Sequence, residues 1–185
     1  YDQSEIVKNL NLHIEGGKNT AFVGVSGSGK STLIKLIWWY LHATSGRVLI
    51  DDQPLPAEGK VIKNSTIALK TYYPSVGYLT QEPNVFDWTV RENLLYGASE
   101  QEITEEQINQ SLKDAQCNFV FALKDGIDTE IGEKGVRLSG WERQRLAIAK
   151  IMLKNPRIVL LDEPTSALDS FSEEEVTKAL SALFI

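Results

Sequence analysis

Cysteine occurs once in these 185 residues, at Cys117. A lone thiol excludes an internal disulfide and any zinc site built on several cysteines. Cys117 itself is expected to fill a core position. Long apolar runs are also missing. The best candidate, Leu33 to Leu41, is broken by Lys35 and falls short of the roughly 18 residues that a membrane span requires. Basic residues are outnumbered, with 19 Lys and Arg against 25 Asp and Glu and a formal charge of −6. That balance argues against non-specific binding to nucleic acid. No secretory leader is recognisable, and the chain opens on Tyr1 rather than methionine. It therefore reads as a fragment, either soluble or the soluble part of something larger, long enough for a sizeable core.

What is present is organised around Gly24-Val25-Ser26-Gly27-Ser28-Gly29-Lys30-Ser31-Thr32. This is a glycine, four residues, then Gly-Lys-Ser, the pattern of a phosphate-binding P-loop. The apolar run Thr20-Ala21-Phe22-Val23 before it is expected to be a buried strand, and Leu33 to Ile37 after it a helix. Gly24, Gly27 and Gly29 let the backbone turn tightly and bring N–H groups close to a phosphate chain. The helix N-terminus adds partial positive charge. Lys30 can reach β- and γ-phosphates, and the Ser31 hydroxyl can ligate Mg²⁺. Ser26, Ser28 and Thr32 complete the expected nucleotide-binding stretch.

Along the rest of the chain, Leu10, Leu12 and Ile14 alternate with polar residues and predict a half-buried strand. Trp38, Trp39 and Tyr40 are expected to pack rather than bind. Arg47 to Asp51 predicts a strand and residues 52 to 66 a surface loop. Ser75 to Thr80 predicts a strand stopped by Pro83. Helical composition then prevails up to the run at residue 157. Thr104 and Gln107 form a capping box ahead of Ile108, Leu112 and Ala115 on one helical face. A helix from Ser139 turns apolar nearly all round after Arg145 and should be buried, ending at Asn155-Pro156. Arg157 to Glu163 is a continuous apolar run closed by two acids, as in a parallel strand buried on both faces. Ser172 and Glu175 are expected to cap a last helix that turns Val176, Ala179, Leu180 and Leu183 inward.

Asp162 thus falls at the carboxyl end of a buried strand, where open α/β sheets place ligands. With a P-loop upstream, an acid there can hold Mg²⁺, and Glu163 beside it can orient or deprotonate a water.

Several ordered motifs resemble those of the ABC ATPases. Leu138-Ser139-Gly140-Trp141-Glu142-Arg143-Gln144-Arg145 resembles their signature motif. Leu160-Leu161-Asp162-Glu163-Pro164-Thr165-Ser166-Ala167-Leu168-Asp169 resembles the Walker B strand and the D-loop. Gln81 resembles the Q-loop glutamine, and Thr129 to Gly135 the X-loop of exporter-type nucleotide-binding domains. Tyr1 stands where the family keeps an aromatic residue that stacks on adenine. The resemblance covers essentially the whole chain.

It implies an α/β fold: a P-loop NTPase, RecA-like core with an antiparallel β-subdomain and an inserted helical subdomain from Pro83 to about Lys150, all one domain over residues 1–185. It implies ATP and Mg²⁺ as cofactors and a head-to-tail dimer with a second nucleotide-binding domain, identical or not. Lys30, Ser31, Gln81 and Asp162 would hold phosphates and Mg²⁺, and Glu163 would be the general base. Ser139 and Gly140 would reach the partner's γ-phosphate, and Asp169 would couple the two sites. The helical block would receive a transmembrane domain, placing the chain at the cytoplasmic face of a membrane as an exporter's motor. No nucleic-acid partner is expected.

Three features depart from the family pattern. Trp141 stands where a second glycine is usual, adding bulk at the expected dimer interface, and Glu142 replaces a usual glutamine. The switch histidine would fall beyond Ile185, and neither His13 nor His42 is placed to replace it. Residues 52 to 74 form a longer link than usual. Two other readings therefore stand beside the transporter motor: a soluble ABC ATPase of DNA repair or translation, and an ATP-binding module with impaired hydrolysis.

The adenine contact implied for Tyr1 is directly testable. Base–aromatic stacking is worth about 1–3 kcal/mol, so Tyr1→Ala should weaken ATP more than inorganic triphosphate in a calorimetric titration. Equal losses for the two ligands would rule stacking out.

Overall fold

The computed structural model describes residues 6–56, 67–98, 103–133, 135–165 and 170–184. The chain divides into two compact units, Tyr1–Ala68 and Leu69–Ile185.

In the first unit, helix α1 (Lys30–Ile37) starts directly after the glycine-rich turn. Gly27 and Gly29 adopt φ of 79° and 93° there, the left-handed region that glycine enters without a Cβ penalty. Strands β1 (Leu49–Ile50) and β2 (Gln53–Pro54) form an antiparallel hairpin with Leu49 opposite Pro54. Its two turn residues, Asp51 and Asp52, both have positive φ, 48° and 62°. Such a turn matches the twist of the flanking strands. The expected strand over 47–51 is therefore shortened, and β2 takes the start of the expected loop. Trp38 stacks on Tyr40 with centroids 5.6 Å apart, and the Trp39 indole N–H donates to the Pro56 carbonyl at 2.7 Å, whereas Tyr40 itself stays exposed.

Two expected strands are not formed. Among the described residues, 10–14 and 20–23 pair with no strand. Leu10, Leu12 and Ile14 stay exposed, and Val23 is 95 % exposed. The apolar pattern is present at both places, but a strand is defined by its ladder. The ladder described in this unit is that of β1 and β2.

In the second unit, α2 (Leu69–Tyr72) and a 3₁₀ turn (Tyr73–Ser75) lead into β3 (Val76–Leu79). β3 pairs in parallel with β4 (Ile158–Leu161), in the register Val76 to Ile158 through Leu79 to Leu161. Between them run α3 (Val90–Leu95), α4 (Glu105–Asp114), α5 (Asn118–Phe121) and α6 (Gly140–Lys154), and α7 (Ser170–Leu183) follows β4. The expected block of helices between two strands is thus observed. β4 is only partly buried, with Leu160 its one buried residue. α7 begins at Ser170, ahead of the expected cap at Ser172.

The helix starts are specified locally. Thr89 with Glu92, Thr104 with Gln107 and Ser139 with Glu142 each form a complete capping box. In each, two otherwise unpaired N–H groups of the first turn find side-chain acceptors. α6 ends with Asn155 in the left-handed conformation before Pro156, as a C-cap requires. The core joins Leu79 of β3 to Leu94, Leu112 and Val120, to Leu146, Ile148 and Ala149 of α6, and to Val176 and Ala179 of α7. Cys117 sits in it, fully buried, and burial pushes its thiol up to about 12. Gly77 is required by packing, since a Cβ there would lie 2.9 Å from both Ile151 and Pro156.

One charge is buried in this core. Arg145 is 4 % exposed and meets the Glu175 carboxylate at 2.5 Å, joining α6 to α7. Removing one partner of a buried pair strands the other charge in low dielectric. Glu175→Ala is therefore expected to destabilise the chain by about 3 kcal/mol, whereas Glu174→Ala, on an exposed i,i+4 pair with Lys178, costs little. Urea denaturation of the two variants checks the contrast.

Candidate functional site

The predicted phosphate loop lies wholly in the first unit, with Gly24 to Ser28 exposed. The Ser28 N–H donates to the Val25 carbonyl at 3.1 Å, closing the turn. Gly24 leaves room for this, because a Cβ on it would meet the Ser28 hydroxyl at 2.7 Å. Lys30 folds back over the loop, its Nζ donating to the carbonyls of Gly24 at 2.9 Å and Val25 at 3.2 Å. These contacts hold the ammonium at the loop, where an anion's oxygens would make the stronger, charge-assisted hydrogen bonds. Ser31 and Thr32 lie in the first turn of α1, half-buried. Left-handed glycines, a helix N-terminus and a lysine ammonium on one short loop suit a polyphosphate.

Gln81, Asp162 and Glu163 lie in the second unit, just beyond the carboxyl ends of its two strands. The Asp162 N–H donates to the Leu79 carbonyl at 3.0 Å, extending the ladder one step beyond β4. The Asp162 carboxylate accepts from the Tyr78 hydroxyl at 3.1 Å. Burial, and then the charge of Asp162 and this hydrogen bond, push the Tyr78 hydroxyl up to about 12. It therefore remains a donor at any working pH. Glu163 is exposed and has φ of 46°. A glutamate in the left-handed region is strained, and such strain gathers at functional positions.

Gln81 and Gly140 line one cavity of about 240 Å³ with Glu82, Arg143, Gln144 and Pro164. Ser139 caps α6: its N–H and hydroxyl both donate to the Glu142 carboxylate at 2.7 Å. Gly140, the first residue of α6, has no atom within 4 Å of where a Cβ would sit. Packing within the chain does not demand that glycine. Trp141 turns onto its own unit, its ring 4.4 Å from the Arg145 guanidinium and edge-on to Phe119 at 6.4 Å. The ring is thus half-buried against side chains of α5 and α6. Tyr1 and Asp169, with the Ser166–Asp169 part of the predicted D-loop, lie outside the described residues.

Sequence reasoning missed two residues here, Tyr78 and Gln144. Gln144 is buried, and its amide donates to the Thr80 carbonyl at 3.3 Å and the Pro164 carbonyl at 2.6 Å. No sequence signal marks either contact, because both depend on which strand neighbours which. Among the described residues no three His, Cys, Asp or Glu side chains converge on a metal site. Within the second unit Asp162 offers the kind of hard oxygen that Mg²⁺ takes alongside substrate phosphates.

A family model described as "ABC transporter" matches residues 7–166. ABC transporter B family member 22 of Arabidopsis thaliana is 44 % identical over 181 residues, covering 97 % of this chain and 14 % of its own length. A Staphylococcus aureus protein provisionally named as a multidrug export ATP-binding/permease protein is 44 % identical over 184 residues, covering 98 % of this chain and 30 % of its own. The solved structure of a bacterial Atm1-family ABC exporter with ATP bound superposes on the whole chain with a TM-score of 0.81 at 34 % identity, over 31 % of that chain. The chain therefore spans between about a seventh and a third of these relatives.

The geometry at Glu163 generates a prediction that concerns stability. A left-handed L-residue costs about 1–2 kcal/mol, of which glycine's extra unfolded-state entropy returns about 0.5–1 kcal/mol. Glu163→Gly should therefore raise the urea midpoint, equivalent to a gain of about 0.5–1 kcal/mol. A lowered midpoint would show that the strain is not relieved.

Proposed function

The chain belongs to the ABC transporter family, with the P-loop NTPase fold that this entails, and from that premise we propose that it is the ATP-binding and ATP-hydrolysing motor domain of an exporter. The observation that carries the reading is the end of the β3–β4 pair. There Asp162 is oriented by the Tyr78 hydroxyl, and Glu163 is held in a strained conformation beside it.

The roles follow from the chemistry of each group. Lys30 exchanges the carbonyls of Gly24 and Val25 for the β- and γ-phosphates, while the backbone of Gly24, Ser26, Gly27, Ser28 and Gly29 donates to phosphate oxygens. Thr32 lies one residue further along the same helix turn. Ser31, Asp162 and Gln81 would hold Mg²⁺, which when bound would offset phosphate charge. Glu163 takes a proton from the attacking water. Tyr1 covers the adenine. Ser139 and Gly140 serve the ATP of a second nucleotide-binding domain, and the empty space at the Gly140 Cβ position supports a close approach from outside the chain.

The same proposal includes the finer architecture: one ATPase domain over residues 1–185, a RecA-like core, an antiparallel β-subdomain to which β1 and β2 belong, and a helical subdomain from Pro83 to about Lys150. A transmembrane domain is the second partner. Phe86, Trp88 and Tyr96 support this. They form an exposed three-ring cluster with centroids 4.4 to 5.4 Å apart, flanked by Lys150 at 4.7 Å from the Tyr96 ring. A patch of that kind marks an interaction surface. The chain would then work at the cytoplasmic face of a membrane. The packing of Trp141 against its own unit favours an active motor over a module impaired at this residue.

The test separates binding from chemistry in the transporter that carries this chain. Lys30→Ala should abolish measurable Mg·ATP binding. Glu163→Gln should keep binding and lose about 10²–10⁴ in hydrolysis rate. Unchanged hydrolysis in Glu163→Gln would remove Glu163 as the base, and unchanged affinity in Lys30→Ala would overturn the assignment of the phosphate loop.

A further inference from the structure

Gln144 sits in the second turn of α6, only 1 % exposed, and is used by none of the roles above. Its Nε2 donates to two carbonyls: that of Thr80, immediately before Gln81, and that of Pro164, immediately after Glu163. Carbonyls can only accept, so the NH₂ end of the amide must be the end that faces them. The Oε1 is consequently buried, and among the described residues no group donates to it. A buried acceptor without a donor opposes folding. An apolar side chain of the same length would avoid that penalty but would leave the Thr80 and Pro164 carbonyls without this donor, so what the glutamine supplies here is the link between those two carbonyls.

One amide joins three segments that approach from different parts of the chain: the helix headed by Ser139 and Gly140, the loop that begins with Gln81, and the loop that follows Asp162 and Glu163. The cavity beside it is lined by residues of the same three segments, among them Gln81, Gly140 and Pro164. Resting on the motor assignment, we infer that Gln144 is a positioning residue, fixing the backbone on which Gln81 and Glu163 stand relative to the head of α6. The amide touches no reacting atom. A change at the head of α6 is carried through it to both loops, because its two donors are committed to both carbonyls.

Gln144→Met keeps the length and removes both donors. In the intact transporter its kcat for ATP should fall by about ten- to a hundredfold, the range expected when reacting groups are slightly misplaced. The Kd for Mg·ATP, set mainly by the phosphate loop, should stay within about twofold. Hydrogen exchange should quicken in peptides spanning Gln81–Pro83 and Glu163–Thr165 and remain unchanged over α4. Gln144→Asn, polar but too short to span both carbonyls, should behave alike and serves if the Met variant fails to fold. A folded variant with parental kcat would overturn the inference. Parallel losses of kcat, affinity and protection throughout the second unit would also overturn it, leaving a packing role only. A parent that hydrolyses no ATP would overturn the motor assignment itself, whereas an active parent with equally active variants removes the clamp alone.

Discussion

Two parallel strands cannot be joined by a tight turn, and most of the second unit follows from that constraint. β3 and β4 lie side by side and point the same way, so the chain leaving β3 must return to the start of β4 before it can pair. It does so through α3 to α6. The detour has two effects. It supplies the apolar faces that cover the strands, chiefly that of α6, which lies so close to β3 that Gly77 admits no side chain. It also brings both strands' carboxyl ends to one edge, where the loops carrying Gln81 and Glu163 begin. The ladder continues to that edge through the Asp162 N–H and Leu79 carbonyl.

At the edge, polar contacts replace packing. Tyr78 sets the direction of the Asp162 carboxylate, and Gln144 holds the backbone on either side. Both are partly or wholly buried, where a hydrogen bond is stronger and an unmade one costs more. Deeper in, the Arg145–Glu175 pair ties α6 to α7, and the Trp141 ring, edge-on to Phe119, ties it to α5. The start of α6 is thereby fixed along its first two turns.

What the sequence made legible was whatever is determined locally. The Thr104–Gln107 box, the stop at Asn155-Pro156 and both strands of the parallel pair lie within a few residues of their signals. The Ser139–Glu142 box is present in the letters too, but there the signature resemblance marks Glu142 as a departure from glutamine, while the structure makes it the residue that closes a cap. Tyr78 and Gln144 were beyond reach because their partners lie 84, 64 and 20 residues away. Leu10 to Ile14 and Thr20 to Val23 erred in the other direction. Their patterns describe which faces could be buried, and burial requires a pairing partner that is not formed among the described residues. The roles of Tyr1 and Asp169 are read from the resemblance alone.

The buried thiol has a practical corollary. Cys117 is enclosed on all sides, and its sulfur is kept protonated far above neutral pH. Maleimides and spin-label reagents attack the thiolate and need access, so in the folded chain they find nothing to react with. A cysteine engineered onto an exposed position such as Val25 or Trp88 would then be the sole labelling site. The mobility of the labelled position can then be followed spectroscopically on the native background, without first removing a core side chain.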